Sequence, residues 1–310
     1  MPTLTWQDFA DLAITRLAAS GAEYGDIRIV HSTTQTIRGE DRRIASIRDL
    51  DDVGFGIRVL YHGGWGFAAS SILSLEEVPR VADLAVEIAR GSASVAIDRV
   101  RLAAEPVHRD RITTAVRVDP FTVPLGQKAD LLLATMESLQ SQSGVVRSSA
   151  ELWARRDRKL FASTEGARLE FDLIASSGDC AATALHDGRF ASRSFHTPQL
   201  RRGYELIEEA DFLGQAPRVA REAIEKVHAP AVDAGSYDLV LDPEHLSLTM
   251  HESCGHPTEL DRALGYEANY AGTSFLTTDK LGRFRYGSSH VSLVADNTEP
   301  ETLAATGYDD

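Results

Sequence analysis

The sequence is poor in cysteine and has no long apolar run. Its 310 residues include two cysteines, Cys180 and Cys254, which are too few for a disulfide framework and favour a reducing, cytoplasmic compartment. No stretch approaches the roughly 20 consecutive apolar residues that a membrane-spanning helix needs. The first residues, Met1 to Trp6, also lack the basic and apolar regions of a secretory signal. We therefore expect a cytoplasmic protein without a membrane partner.

Positive charge is also scarce. The chain has 32 Lys and Arg against 46 Asp and Glu, which gives a formal net charge of −14. Proteins that bind nucleic acid concentrate basic charge on one surface, because neutralising phosphates drives their binding. The arginines at 42–43 and 155–158 fall in predicted strand edges and turns, where a solvated face is expected. We therefore expect no direct nucleic-acid partner.

The composition that remains is typical of a globular protein, with 43% hydrophobic and 25% charged residues. Apolar residues at helical spacing predict helices after Thr5, after Ser74, and over residues 125–140 and 215–228. Alternating apolar residues between these helices predict antiparallel strands, with a break at residues 49–52. The order of helix, strands and helix occurs twice. The predicted fold class is therefore α+β, with helices packed on antiparallel sheets and a loose internal repeat.

Beyond residue 230 the pattern changes. A short apolar strand is predicted over residues 237–241. The segment Asp242–Glu244 then supplies an N-cap, a proline at the first helical position and an acid in the first turn, so a helix begins there. This helix leads directly into an H-E-x-x-x-H string formed by His251, Glu252 and His256.

Two imidazoles and a neighbouring carboxylate are the groups that a hydrolytic zinc site needs. Neutral His nitrogens bind Zn²⁺, and a carboxylate takes a proton from the attacking water. The spacing is unusual, because His251 and His256 are five residues apart and lie about 140° apart around an ideal α-helix. Surface or capping histidines are the alternative that these residues leave open.

Two local structures would bring the two rings together. In the first, a π-type turn with about one extra residue places His251 and His256 on one face. In the second, the helix ends at Gly255, and His256 reaches back before Pro257 prevents continuation. Cys254 lies inside the string and either offers a thiolate ligand or packs as an inert thiol.

The segment from Leu239 to Asp310 resembles the TldD/PmbA family of zinc metalloproteases, whose members are also named as candidate modulators of DNA gyrase. The string is followed by further segments that look like those of this family, including a G-T-S-F sequence. The segments that carry the resemblance are His251–His256, Glu259–Arg262, Gly265–Phe275, Val294–Thr298 and Gly307–Asp310.

The resemblance implies that His251 and His256 are zinc ligands and that Glu252 is the general base. It also implies a third ligand, a Cys in a C-terminal, mainly β domain. Neither Cys180 nor Cys254 matches the position of that Cys, so we expect it beyond residue 310. With one ligand missing, the chain by itself is expected to be an inactive fragment.

The resemblance also implies a domain division. Residues 1–230 are expected to form the N-terminal α+β domain, and residues 231–310 the beginning of a β-rich metalloprotease domain. The implied function is zinc-dependent hydrolysis of short or unfolded peptides, in a homodimer or in a heterodimer with a paralogous subunit. The alternative is a non-catalytic peptide-binding or partner subunit, which has no need of an intact H-E-x-x-x-H string. The acidic charge makes any link to DNA gyrase an indirect one.

Residues just beyond the string have two interpretations each. Glu259 and Asp261 either accept a hydrogen bond from a ligand imidazole or are solvated turn residues. Three side chains further along either bind a peptide backbone or pack within a loop: Tyr266, Asn269 and Tyr270.

Overall fold

The order of elements along the chain follows the predicted repeat. The computed structural model describes residues 4–97 and 99–308. The first repeat consists of α1 (Trp6–Ala18), β1 (Tyr24–Glu40), β2 (Arg43–Tyr61), β3 (Gly64–Ser70) and α2 (Glu77–Val95). A short strand, β4 (Arg109–Thr113), follows. The second repeat consists of α3 (Leu125–Gln140), β5 (Val145–Ser163), β6 (Arg168–His186), β7 (Arg189–His196), α4 (Glu205–Ala210) and α5 (Phe212–His228). The predicted α+β class is confirmed.

The strands form one sheet whose order reflects this repeat. The order is β3-β2-β1-β5-β6-β4, and β7 also pairs with β6. The first strands of the two repeats, β1 and β5, pair antiparallel from Asp26 opposite Ser163 to Glu40 opposite Ser149. Each repeat then extends outward from this central pair. β4 and β7 occupy different ends of β6, since β4 pairs in parallel with residues 168–172 and β7 pairs antiparallel with residues 179–186.

β2 continues through the acidic residues at which the sequence predicted a break. That prediction was wrong because the acids have polar partners on β1. Asp49 Oδ1 accepts a hydrogen bond from Gln35 Nε2 at 2.8 Å, and Asp51 Oδ1 lies 2.7 Å from His31 Nε2. Such cross-strand pairs stabilise a sheet even where its residues are polar.

The arginine-rich middle of β5 is likewise a continuous part of the sheet. Arg156 donates two hydrogen bonds to Asp172 on β6, both at 2.6 Å, and a third to Asp119 at 3.2 Å. The hydrogen bonds from Arg156 hold the pKa of Asp172 below its ordinary value. Arg156 is therefore held within the sheet by acids, whereas Arg155 and Arg158 are exposed.

The predicted helices are confirmed with small shifts at their ends. α1 begins with a capping box, in which Thr5 Oγ1 accepts from the Asp8 N–H at 3.3 Å and Asp8 Oδ2 accepts from the Thr5 N–H at 2.7 Å. α3 spans the predicted residues. α5 begins three residues earlier than predicted, because Asp211 Oδ1 accepts from the Gly214 N–H at 3.1 Å and caps the helix there.

Two clusters of buried apolar side chains hold the helices to the sheet. The first joins α1 and α2 to β1, β2 and β3 and includes Leu17, Ile57 and Val81. The second joins α3 and α5 to β5 and β6 and includes Leu139 and Leu152. Full burial of each such side chain stabilises the fold by about 1.5–3 kcal/mol, so the two clusters contribute strongly to the stability of this unit.

Residues 230–295 form a separate compact unit, whereas residues 296–308 belong to the unit that contains the sheet. The strand predicted at 237–241 is not formed, and this prediction was wrong. Leu239 and Val240 are exposed, and no neighbouring strand supplies hydrogen bonds to them among the described residues.

Of the described helices, none is both long enough and apolar enough to cross a membrane. Asp309 and Asp310, the end of the last family-like segment, lie outside the described residues.

Candidate metal centre

The helix that leads to the H-E-x-x-x-H string begins where the sequence predicted. α6 spans Pro243–Met250. Asp242 Oδ1 accepts a hydrogen bond from the Glu244 N–H at 3.0 Å, and Pro243 occupies the first helical position. The cap therefore fixes the start of α6, and its eight residues carry the chain directly to His251.

A π-helical turn follows α6 over His251–Gly255. Its wider spacing is shown by the His256 N–H, which donates to the backbone oxygen of His251, five residues earlier. Such a turn brings side chains five residues apart onto one face. Of the two predicted interpretations, the structure therefore shows the π-type turn. A 3₁₀ turn over His256–Thr258 then contains Pro257 and ends the helical segment.

The π-helical turn gathers the three residues of the string. Ligand atoms of His251, Glu252 and His256 all lie within 4.8 Å of one another. The two imidazole rings meet edge to face with their centroids 4.3 Å apart, and Glu252 Oε2 lies 3.8 Å from His256 Nε2. Imidazole nitrogens are donors that zinc prefers, and two of them converge here beside a carboxylate, so the residues present fit a zinc site.

The site is open to solvent. The Glu252 side chain is 60% exposed and that of His256 is 31% exposed, while His251 is also exposed. A water molecule or a peptide can therefore reach these groups. Exposure of this kind is required of a catalytic zinc site, which keeps a position for water or substrate.

Neither cysteine belongs to this cluster. Cys254 is half-buried within the π-helical turn but is not a member of a described metal-ligating group. Cys180 lies in the sheet-bearing unit, where burial raises the pKa of its thiol to about 12. A thiol with such a pKa is an inert core residue at neutral pH.

A chain of charged groups extends from His256. Its Nδ1 lies 2.7 Å from Glu259 Oε1. The other oxygen of Glu259 lies 3.0 Å from Arg262 Nη2, and that nitrogen also lies 3.4 Å from Glu267 Oε2. Of the two acids that the sequence offered as partners of an imidazole, Glu259 lies beside His256. Asp261 is exposed and accepts a hydrogen bond from the Arg262 N–H at 2.8 Å.

Sequence reasoning missed Arg262 and Glu267. Arg262 follows Glu259 by three residues and lies within the short helix α7 (Leu260–Ala263). This i, i+3 charge pattern was the available signal. The loop residues Tyr266 and Tyr270 are 75% and 90% exposed. Their predicted contact with a peptide stays a prediction.

Two family models match the chain. Residues 25–89 match the model described as PmbA/TldA metallopeptidase domain 1, and residues 118–229 match the PmbA/TldA metallopeptidase central domain. These two ranges correspond to the first and second repeats of the sheet. Together they cover more than half of the chain, and the chain therefore belongs to the PmbA/TldD family.

Curated relatives carry names that agree with this family. A metalloprotease from Methanocaldococcus jannaschii is 26% identical over 290 residues, which are 93% of this chain and 61% of the relative. A zinc metalloprotease TldD homolog from Saccharolobus solfataricus is 24% identical over 255 residues, which are 79% of this chain and 52% of the relative. The chain thus spans about half to three fifths of the length of these relatives.

A solved structure from Bacteroides thetaiotaomicron, described as a candidate modulator of DNA gyrase, has the same fold. Its TM-score to this chain is 0.67 at 14% sequence identity, and the match covers 86% of this chain and 59% of that one. At this identity the likeness supports the fold class alone.

Proposed function

We propose that this chain is part of a zinc-dependent peptidase that hydrolyses short or unfolded peptides. The observation that carries the proposal is the π-helical turn, which places ligand atoms of His251, Glu252 and His256 within 4.8 Å of one another. Membership of the PmbA/TldD family supports it, as do the relatives named metalloprotease and zinc metalloprotease.

His251 and His256 would hold the zinc ion, and Glu252 would be the catalytic general base. A bound zinc ion supplies a Lewis acid that polarises a carbonyl group and makes water more acidic. The Glu252 carboxylate is exposed and next to the two imidazoles. It can therefore accept a proton from the attacking water and later donate it to the leaving amine nitrogen.

The third ligand and the assembly rest on the family resemblance alone. We expect a Cys outside residues 1–310 to complete the ligand set, and we expect the 310-residue chain by itself to bind zinc weakly and to lack peptidase activity. The working enzyme is expected to be a cytoplasmic homodimer or a heterodimer with a paralogous subunit.

A non-catalytic, peptide-binding partner subunit is the second candidate. A binding subunit has no need of a base beside two imidazoles. The intact and convergent set of His251, Glu252 and His256 therefore favours the catalytic proposal.

Glu252→Gln in the full gene product tests the catalytic proposal. The substitution keeps nearly the same volume but removes the proton acceptor. We expect unchanged zinc content and a catalytic rate that falls by about 10²–10⁴-fold, the range for loss of one general base. Peptide hydrolysis and zinc content are measured on the same preparation, with Glu244→Gln on α6 as the matched control.

Turnover within a few-fold of the parent at full zinc content would refute the general-base role. Loss of zinc from Glu252→Gln would instead make Glu252 a ligand or a support for the ligands. A parent protein that binds zinc and peptide without hydrolysis would favour the partner-subunit candidate.

A further inference from the structure

The two histidines of the string differ in their surroundings. His256 Nδ1 lies 2.7 Å from Glu259 Oε1, within hydrogen-bond distance. Within residues 4–97 and 99–308, His251 forms no ion pair with a carboxylate, and its ring instead meets the ring of His256. The ring of His256 is therefore held by an acid at Nδ1, and the ring of His251 has no corresponding acid among the described residues.

The backbone after the π-helical turn places Glu259 at this distance. His256–Thr258 form a 3₁₀ turn, in which residues three apart lie on the same side. Glu259 follows with extended backbone angles, φ −61° and ψ 123°, and caps α7. The local fold therefore places the backbone of Glu259 where its side chain can reach His256.

Arg262 fixes the other end of the Glu259 carboxylate. Its Nη2 lies 3.0 Å from Glu259 Oε2 and 3.4 Å from Glu267 Oε2, and its side chain is 17% exposed. A guanidinium held between two acids restricts the rotation of Glu259. One carboxylate oxygen thus faces Arg262, which leaves the other for the imidazole of His256.

We propose that Glu259 is a positioning residue that keeps the proton of neutral His256 on Nδ1, so that Nε2 is presented to the metal. A carboxylate accepts but does not donate when ionised, so the ring nitrogen facing it must carry the proton. The nitrogen on the other side of the ring, 3.8 Å from Glu252, is then the one with a free lone pair. The proposal rests on the zinc peptidase function and deepens it.

This arrangement has a measurable consequence for metal binding. A histidine that donates its second N–H to a carboxylate is a more basic and better oriented ligand. Loss of such a partner typically weakens metal affinity by about 10–100-fold. No such carboxylate supports His251 among the described residues. We therefore expect the loss of metal affinity to follow from substitution of one acid, Glu259.

The tautomer of His256 is the first readout. ¹⁵N-detected imidazole resonances of the metal-free full gene product are assigned to His256 by their loss in His256→Ala. We expect the proton on Nδ1 in the parent and in Glu259→Gln, whose amide oxygen still accepts. We expect a mixture of both tautomers in Glu259→Ala. A His256 that carries its proton on Nε2 in the parent overturns the proposal.

Zinc affinity, measured by competition with a chromogenic chelator, is the second readout. We expect Glu259→Ala to bind zinc about 10–100-fold more weakly than the parent and Glu259→Gln to recover part of this loss. Asp261→Asn is the matched control, since it removes an exposed negative charge two residues away, and its affinity is expected to stay within about threefold of the parent.

The two readouts separate failure of this proposal from failure of the function. If the parent binds zinc and Glu259→Ala binds it equally well, Glu259 does not position His256, and the peptidase proposal stands. If the parent binds no zinc at all, the peptidase proposal fails, while the tautomer measurement in the metal-free protein still decides the role of Glu259. Equal losses in Glu259→Ala and Asp261→Asn would show an effect of charge alone and would also overturn the proposal.

Discussion

Leu139 in the sheet-bearing unit is completely buried, whereas Leu239 in the unit of residues 230–295 is 77% exposed. The same difference in burial distinguishes the two units as a whole. The sheet-bearing unit contains the two apolar clusters between helices and strands. In residues 230–295 no described side chain is buried, and large apolar residues such as Leu281 are 80% exposed. Burial of apolar surface stabilises the first unit, and it contributes little to the second.

In the unit of residues 230–295, polar contacts hold the segment around the H-E-x-x-x-H string. The His256 N–H donates to the His251 oxygen in the π-helical turn. Thr258 Oγ1 donates to the Cys254 oxygen at 2.9 Å, and Ser274 Oγ donates to the Pro257 oxygen at 2.6 Å. The difference shows that the H-E-x-x-x-H string takes its geometry from hydrogen bonds, without a buried apolar core around it among the described residues.

Leu139→Ala is expected to have the largest effect on stability. The side chain is fully buried in the second cluster, and truncation of such a residue lowers the free energy of unfolding by about 3 kcal/mol. Urea unfolding followed by tryptophan fluorescence measures this, because Trp6, Trp65 and Trp153 all lie in the sheet-bearing unit. An unchanged midpoint would contradict the assigned core.

Asp172→Asn is expected to have an intermediate effect that depends on pH. Arg156 holds the pKa of Asp172 below its ordinary value, so the ion pair stabilises the fold above the unfolded-state pKa, and this stability is lost as pH falls through the lower folded-state pKa. Because both side chains are about one-fifth exposed, solvent screening reduces the effect at pH 7 to about 1–2 kcal/mol.

The parent and Asp172→Asn should therefore approach each other in stability at acid pH. Urea unfolding at pH 7 and near pH 3 gives the comparison. A difference that grows as pH falls would reverse the expected sign and refute the role assigned to this ion pair.

Leu239→Ala is expected to have the smallest effect and is the matched partner of Leu139→Ala. An exposed side chain loses little transfer free energy on truncation, so the free energy of unfolding should change by less than about 0.5 kcal/mol. Circular dichroism and tryptophan fluorescence are measured on both variants under the same conditions. Equal destabilisation by the two substitutions would remove the distinction between the units.

The sequence predicted the local elements better than the long-range ones. The start of α6 followed from the Asp242 cap and Pro243, and the i, i+5 spacing of His251 and His256 led to the π-type turn as one of two interpretations. These features depend on neighbouring residues alone. The continuity of β2 did not follow from the sequence, because it depends on partners that β1 supplies across the sheet.

The sequence analysis also missed the short strands β4 and β7 and the contact of Arg262 with Glu259, and each omission has a physical reason. β4 and β7 pair with opposite ends of β6, and no pattern within either strand specifies such a partner. Arg262 was not recognised because a single i, i+3 charge pair is common on solvated helices. Its contact with Glu259 gains meaning only when Glu259 is found beside His256.

Zinc content of the full gene product and of its histidine variants tests the central claim most directly. With His251 and His256 as ligands, we expect about one zinc ion per chain in the parent and loss of most of it in His251→Ala and in His256→Ala. His290→Ala, which removes an exposed histidine of the same unit, should keep the full content. Elemental analysis that finds undiminished zinc in both ligand variants would contradict the assignment of this metal centre.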